Sequence, residues 1–182
     1  MYKRQEVAVY RIDRLLGVDL TPMTVPVTII HDGDTLRGSA MYYVHGGMPP
    51  EEGLDGKPDA LRFFDAVIGN SDRHRKNWLV LDGRRAVAID HNRAFEYHPS
   101  SRPKTCWETE LDSIRAPGEL GQPLLRYRTL PADSLTAAID GVVDSSLVRE
   151  FVEIRDRVLE RVGQRTRDPA RRLPLRDCRF PF

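Results

Sequence analysis

The 182-residue sequence predicts an α+β fold in which one helix and a short antiparallel sheet precede a mainly helical lobe that carries a second hairpin. Three observations predict it: apolar residues at helical spacing open the chain, two strand–turn–strand patterns follow, and helical spacing returns later. With 40% hydrophobic and 30% charged residues, the composition is typical of a globular protein. A chain of this length buries about 70% of its unfolded surface, enough for a real core.

The composition also argues against several classes of protein. A net charge of +1, from 28 basic and 27 acidic residues, disfavours a general nucleic-acid or membrane-surface binder. The two cysteines, Cys106 and Cys178, cannot form a disulfide framework and lack metal-site spacing, so we expect reduced thiols. The chain opens without a secretory apolar region and has no apolar run of about 18 residues. We therefore expect a cytoplasmic protein with no membrane span.

The first half of the chain predicts a helix and a hairpin. The helix is predicted over residues 5–16, and strands over residues 24–31 and 35–44, with Pro26 marking an edge or a bulge. Residues 45–58, rich in Gly and Pro, form a linker. The local signals are the helix face Val9, Ile12 and Leu16, the C-cap Gly17, and the turn Asp32-Gly33-Asp34.

The second half predicts a helix, a second hairpin and a late helical region. The helix covers residues 59–69, the hairpin residues 78–90, and the helical region residues 134–162, with Gly163 as its stop. Residues 99–131 are predicted to be irregular. The local signals are the helix face Leu61, Phe64 and Ile68, the hairpin turn Asp82-Gly83, and an Arg-rich tail over residues 164–182.

Polar residues flank the second hairpin on both sides. If its loop has four residues, Asn77 lies opposite Asp90; if the loop has two, Arg75 does. In either register Asn77 and Asp90 leave the hairpin at its open end, about 5 Å apart between Cα atoms if directly paired. Asp72 lies five residues before Asn77, within reach of the same space.

Such a set has a chemical interpretation and a structural one. Asp and Asn oxygens are ligands for Mg²⁺ or Mn²⁺ rather than for zinc, and a further Asp can accept a proton from a hydroxyl. That is the minimum equipment for phosphoryl transfer. Asp and Asn are also the ordinary residues of turns and caps. Because several polar groups flank one hairpin between two apolar elements, the pattern favours the chemical interpretation.

At these residues the sequence resembles a known superfamily. The run GNSDRHRKNWLVL, followed by VAIDHNRAF, is similar to the catalytic and metal-binding loops of the atypical kinases. These include phosphatidylinositol 3- and 4-kinases, HipA-type kinases and the secretory-pathway kinases. The segment QEVAVYRIDRLLGVDLTPMTV resembles their regulatory helix and the strand after it. The resemblance implies a protein-kinase-like fold, with a partial N-lobe over 1–44, a linker over 45–58, a C-lobe over 59–163 and a tail over 164–182.

The resemblance also implies roles for single residues in the C-lobe. Asp72 would orient or deprotonate an acceptor hydroxyl on a protein or a small molecule, and His74 would lie beside the transferring phosphoryl group. Asn77 and Asp90 would hold the Mg²⁺ or Mn²⁺ ions that bridge the phosphates of ATP. The implied activity is an ATP-dependent kinase.

In the N-lobe the resemblance implies nucleotide contacts. Glu6 matches the helix glutamate that pairs with the phosphate-binding lysine or helps to hold metal. Met41, Tyr42 and Tyr43 fall where the hinge meets the adenine, and one of the two tyrosines would be the ring contact.

The sequence departs from the kinase pattern in one respect. Such kinases carry a phosphate-covering loop and a phosphate-binding lysine on strands before the regulatory helix, whereas this helix is predicted from residue 5. No Gly-x-Gly-x-x-Gly run occurs, and Lys3 is a helical neighbour of Glu6 rather than a residue on a facing strand. The chain is shortened, or a partner chain supplies the strands, or nucleotide is bound without efficient transfer.

Two alternatives to an active kinase remain open. One is a catalytically poor pseudokinase that acts as a binding module, with the basic tail as a candidate contact surface. The other is a metal-dependent phosphohydrolase that uses His74, Asp90, His91 and His98. The absence of a His-x-x-x-His pair disfavours the second alternative.

Overall fold

The computed structural model describes residues 4–50, 57–95, 111, 114 and 120–167, with side chains to residue 162. This part of the chain contains five helices and two separate two-stranded antiparallel sheets, which confirms the α+β class. The elements are α1 (Arg4–Leu16), β1 (Thr24–His31), β2 (Asp34–Met41), α2 (Asp59–Val67), β3 (Trp78–Leu81), β4 (Arg85–Ala88), α3 (Gly121–Thr129), α4 (Ala132–Ile139) and α5 (Ser145–Arg167), with a 3₁₀ turn over Arg75–Asn77.

Helix α1 begins one residue before its predicted start and ends at the predicted residue. Gly17 takes the left-handed conformation of a C-cap, with φ of 68°. The buried carboxylate of Asp13 then accepts hydrogen bonds from the backbone N–H of Leu20 at 3.1 Å and of Thr21 at 2.7 Å. Because Leu20 O accepts from Ala88 N at 2.8 Å, this loop joins the end of α1 to β4.

The first hairpin is tighter than predicted. His31 pairs with Asp34, so its loop is the two residues Asp32 and Gly33, both at positive φ as in a type I′ turn. Strand β2 ends at Met41 rather than at residue 44. The two strands together expose several apolar side chains, namely Val25, Ile29 and Ile30 of β1 and Leu36 of β2.

Helix α2 lies in the core. Its predicted apolar face, Leu61, Phe64 and Ile68, is fully buried. The helix ends at Val67, two residues before the predicted end, and Ile68 is its C-cap. The left-handed Gly69 follows, and it packs so closely against Ile154 of α5 that a Cβ atom there would overlap the Ile154 side chain. This close approach fixes where the chain leaves α2 for the polar loop.

The second hairpin has a register that differs from both predictions. Leu81 pairs with Arg85, so the loop has three residues, and Asn77 lies opposite Ile89 rather than Asp90. Asp82 and Gly83 both have positive φ, and Arg84 N donates to Leu81 O at 3.1 Å. Residues 81–84 therefore form a tight turn, and Arg84 is the additional loop residue before β4. Composition alone does not distinguish a two-, three- or four-residue loop here.

The late helical region is divided differently from the prediction. Helix α3 occupies part of the stretch predicted to be irregular, and the predicted single region breaks between Ile139 and Ser145, where Gly141 has φ of 70°. Helix α5 continues through Gly163 to Arg167, so the predicted stop at Gly163 is wrong. A single glycine costs a helix only about 1 kcal/mol and does not by itself end it.

The predicted linker is anchored to the second hairpin. Met48 and Val80 exchange two backbone hydrogen bonds, at 3.1 and 2.7 Å, and Arg75 Nε donates to Pro50 O at 2.6 Å. Residues 51–56, Cys106 and residues 168–182 lie outside the described residues. None of the described helices combines the length and apolar character needed to cross a bilayer.

Candidate functional site

The polar loop, residues 70–77, is held by a buried ion pair. Arg73 donates from Nη2 to Asp65 Oδ1 at 2.9 Å and from Nε to both carboxylate oxygens. Asn70 Nδ2 donates to the same carboxylate at 3.1 Å, and Asn70 Oδ1 accepts from Asp72 N at 3.2 Å. Because Asp65 lies on α2, the loop takes its position from the most buried helix of the core.

Asn77 and Asp72 are joined directly. The amide Nδ2 of Asn77 donates to the backbone O of Asp72 at 2.8 Å, and His74 N donates to the same oxygen at 3.0 Å. This use of the Asn77 nitrogen leaves its amide oxygen Oδ1 as the atom that can bind a cation. The Asp72 side chain is half-buried at the turn of the loop.

Asp90 leaves the hairpin immediately after the residue paired with Asn77. Ile89 N donates to Asn77 O at 3.0 Å, and Asp90 follows with a left-handed φ of 54°. A positive φ is uncommon in residues other than glycine, but Asp adopts it more often than most of them. Asp90, which is half-buried, and Asn77 therefore occupy diagonal backbone positions at the open end of one hairpin, one residue out of direct register.

An amide oxygen and a carboxylate, the groups that Asn77 and Asp90 supply, are donors of the kind that a hard cation uses. Mg²⁺ is usually held by one or two carboxylates and completed by substrate phosphates and water, rather than by a full protein cage. Within the described residues no three His, Cys, Asp or Glu side chains gather as a metal site. The set of Asn77 and Asp90 fits a cation that arrives with a phosphate ligand, and it does not fit a zinc centre.

His74 is exposed and caps the 3₁₀ turn. Its Nδ1 atom accepts a hydrogen bond from Lys76 N at 3.2 Å. This contact orients the imidazole at the start of the turn, two residues after Asp72. It gives His74 a local structural role in addition to the role that the resemblance implies.

Glu6 reaches the loop after β4 from helix α1. One carboxylate oxygen accepts from His91 N at 2.5 Å and the other lies 2.9 Å from His91 Nδ1, with both side chains buried. The His91 ring also meets Phe64 edge to face, with ring centroids 6.5 Å apart. Sequence reasoning did not find this pairing, since 85 residues separate the partners.

The predicted hinge residues are more open than the loop residues. Tyr42 and Tyr43 are exposed, Tyr42 N donates to Met23 O at 2.8 Å, and the Tyr43 ring contacts His45 edge to face. Met41 closes β2 opposite Thr24. Met41 and Tyr42 are therefore placed by backbone pairing, whereas Tyr43 contacts a neighbouring residue through its ring.

A cavity of about 410 Å³ lies behind this hinge. Its walls come from the end of α1, the hinge and the second hairpin, and include Tyr10, Tyr42, His45 and Leu81. Asp72, Asn77 and Asp90 are not among the residues that line it. The cavity is therefore separate from the polar residues of the candidate site.

The phosphohydrolase set does not come together in the described residues. His91 is buried against Glu6, whereas His74 is exposed on the 3₁₀ turn. The fourth member, His98, lies outside the described residues. Buried His91 therefore serves the contact between α1 and the loop after β4.

Comparison with known protein families gives no match, and comparison with curated proteins gives none. The interpretation of the site therefore depends on its own residues. The sequence singled out Asp72, Asn77 and Asp90 as candidates and did not indicate the pairing of Asp65 with Arg73. The only local signal for the ion pair was a charged residue on the apolar helix and an Arg within the polar loop.

Proposed function

We propose that the chain is an ATP-dependent phosphotransferase of the atypical kinase type, acting on a hydroxyl of a protein or a small molecule. The observation that carries the proposal is the arrangement at the hairpin mouth, where the Asn77 side chain donates to Asp72 O and the Asn77 backbone pairs with Ile89, the residue before Asp90. This arrangement supports a site in which the Asp72 carboxylate faces an acceptor hydroxyl, while oxygen atoms of Asn77 and Asp90 bind the metal ions that contact the phosphates.

Each residue has a distinct part in this proposal. Asp72 orients the acceptor hydroxyl and accepts its proton, because its backbone is fixed by Asn70, His74 and Asn77 while its side chain stays partly accessible. Asn77 Oδ1 and the Asp90 carboxylate bind Mg²⁺ or Mn²⁺, which neutralises phosphate charge when bound. Glu6 holds the backbone next to Asp90 through His91.

A second candidate, a nucleotide-binding pseudokinase, is favoured by the open first sheet. Ile30 is 77% exposed and Ile29 57% exposed, and the sheet has only two strands among the described residues. In the kinase pattern further strands and a phosphate-binding lysine would cover the nucleotide. Without such groups, phosphoryl transfer loses about 10²–10³ in rate for each electrostatic donor removed. A partner chain that adds strands to this sheet would restore the cover.

The proposal is tested by thermal shift of the chain with ATP and Mg²⁺ or Mn²⁺, using Asp90→Asn as the site variant. Asn tolerates the left-handed backbone at residue 90, so the change removes charge with little strain. The matched control is Asp82→Asn, since Asp82 has nearly the same φ, 51° against 54°, at the far end of the same hairpin.

Ligand at about 100 times its Kd stabilises a protein by about 2.7 kcal/mol, which raises the melting temperature of a chain this size by roughly 5–10 °C. We expect this shift in the unaltered chain and in Asp82→Asn, and its loss in Asp90→Asn. An equal shift in both variants, or none in the unaltered chain at millimolar ATP, would contradict the proposal. Transfer of label from γ-³²P-ATP to an added protein acceptor, lost in Asp72→Asn, separates a kinase from a pseudokinase.

A further inference from the structure

The guanidinium group of Arg73 lies between the two arms of the candidate site. Besides its contacts with Asp65, its Nη1 atom donates to the backbone carbonyl oxygens of Asn77 and Ile89, the latter at 2.6 Å. Arg73 is 7% exposed as a whole residue, and its side chain is 1% exposed. The buried Arg73 guanidinium therefore contacts the backbone of Asn77, one proposed metal ligand, and the backbone of Ile89, which precedes the other proposed ligand, Asp90.

We infer that Arg73 is a positioning residue that sets the separation of Asn77 and Asp90, an inference that rests on the proposed function. The two carbonyls belong to the residue just before β3 and the residue just after β4, and Ile89 N also donates to Asn77 O at 3.0 Å. By donating to both carbonyls, Arg73 holds the two backbone segments together beyond the last strand pair, which is Trp78 with Ala88.

The shape of the guanidinium explains why arginine is suited to this position. Its donors lie in one rigid plane, so Nε and Nη2 can face a carboxylate while Nη1 faces another direction. Here the carboxylate is Asp65 on α2, which is itself fully buried. Arg73 thereby links the mouth of the second hairpin to helix α2. A lysine ammonium is a single point charge, and it can remain near Asp65 without reaching both carbonyls.

The ion pair also has an ordinary structural role, because it neutralises two buried charges. A structural role alone predicts that loss of Arg73 lowers stability and leaves the metal affinity of the folded chain unchanged. A positioning role predicts a loss of affinity that a similar loss of stability elsewhere does not produce. Groups that orient metal ligands from outside typically contribute about 10–100-fold to metal affinity.

The experiment measures the Mn²⁺ affinity of the full chain, held well below its melting temperature, by electron paramagnetic resonance of free Mn²⁺ in the presence of ATP, with the Mn²⁺ bound by ATP alone subtracted by a protein-free titration. The test variant is Arg73→Lys, which keeps a positive charge beside Asp65. The control is Leu135→Ala, a truncation of a fully buried residue on α4, a helix that packs chiefly against α1 and α5, and we expect it to lower the melting temperature. Asp65→Asn is the second variant, since it loosens the anchor and keeps Arg73.

We expect Arg73→Lys to bind Mn²⁺ about 10–100-fold more weakly, Asp65→Asn to show a smaller loss, and Leu135→Ala to bind as the unaltered chain does. Unchanged affinity in a folded Arg73→Lys or Asp65→Asn variant would overturn the inference and leave the proposed function standing. Failure of both variants to fold would also overturn it, in favour of a purely structural ion pair. Absence of Mn²⁺ binding by the unaltered chain would overturn the proposed function, and the inference with it.

Discussion

The contact between Gly69 and Ile154 determines how closely α5 packs against the end of α2. Gly69 has φ of 61°, and a Cβ atom there would overlap Ile154 Cδ1 and lie 3.4 Å from Ile154 Cγ1. Gly69→Ala therefore adds two costs: about 1–2 kcal/mol for a left-handed residue with a side chain, and about 1–3 kcal/mol for overpacking. We expect a total loss of roughly 2–5 kcal/mol in the free energy of unfolding.

The steric part of this cost can be removed separately. Ile154→Val deletes the Cδ1 atom that the new methyl group would meet, at a cost of about 0.5–1.5 kcal/mol when made alone. In the double variant we expect the overpacking term to disappear, which leaves a coupling of roughly 1–3 kcal/mol between the two sites. Gly83→Ala is the matched control, since Gly83 has φ of 68° and nothing within 4 Å of an added Cβ. It reports the conformational cost alone.

The assay is urea unfolding at 25 °C followed by circular dichroism. The same dependence of the free energy of unfolding on urea concentration, the m value, is used for all variants. The expected order of stability loss is Gly69→Ala largest, the double variant intermediate, and Gly83→Ala smallest, at about 1–2 kcal/mol. Strict additivity of Gly69→Ala and Ile154→Val would refute the steric argument. A loss in Gly83→Ala equal to that in Gly69→Ala would show that backbone strain alone explains the effect.

Two further predictions concern the core. Phe64→Ala, at a fully buried position beside His91, should lower the free energy of unfolding by about 3–5 kcal/mol, and an unchanged urea midpoint would show that the face of α2 is misassigned. Tyr127 has a buried hydroxyl without a hydrogen-bond partner among the described residues, and burial raises the pKa of its phenol above the usual value. The unfolded chain releases this proton above about pH 10 whereas the folded chain retains it, so folding stability should fall as pH rises beyond that point. Tyr127→Phe should weaken this decline and raise stability at neutral pH by about 1 kcal/mol; urea midpoints at pH 7 and 10.5 check both, and a less stable Phe variant would contradict the argument.

Local patterns were sufficient for the elements with strong periodicity. Helix α1 and the apolar face of α2 were predictable because side chains three and four residues apart must share one face of a helix. Helix α3 was missed because only Tyr127 of its nine residues is buried, so the apolar signal is weak. Its proline lies in the first turn, where the missing N–H costs little, and so does not prevent the helix.

The grouping of Asp72, Asn77 and Asp90 was predictable to within one residue of register. A hairpin returns the chain beside itself whatever its loop length, so residues just outside the strands must meet at the open end. The exact pairing was not predictable, because loops of two, three and four residues with Asp and Gly satisfy the same turn preferences. The backbone conformations of Asp82 and Gly83 decide it.

By itself the sequence determined where α1, α2 and the two hairpins form and which polar residues flank the mouth of the second hairpin, since these follow from neighbours along the chain. Only the tertiary structure decided which groups hold that mouth in place. Glu6 meets His91 across 85 residues, and the Asp65–Arg73 ion pair forms inside the core. Partners of this kind are selected by packing in three dimensions, because a buried charge must find its counter-charge wherever the fold brings one near.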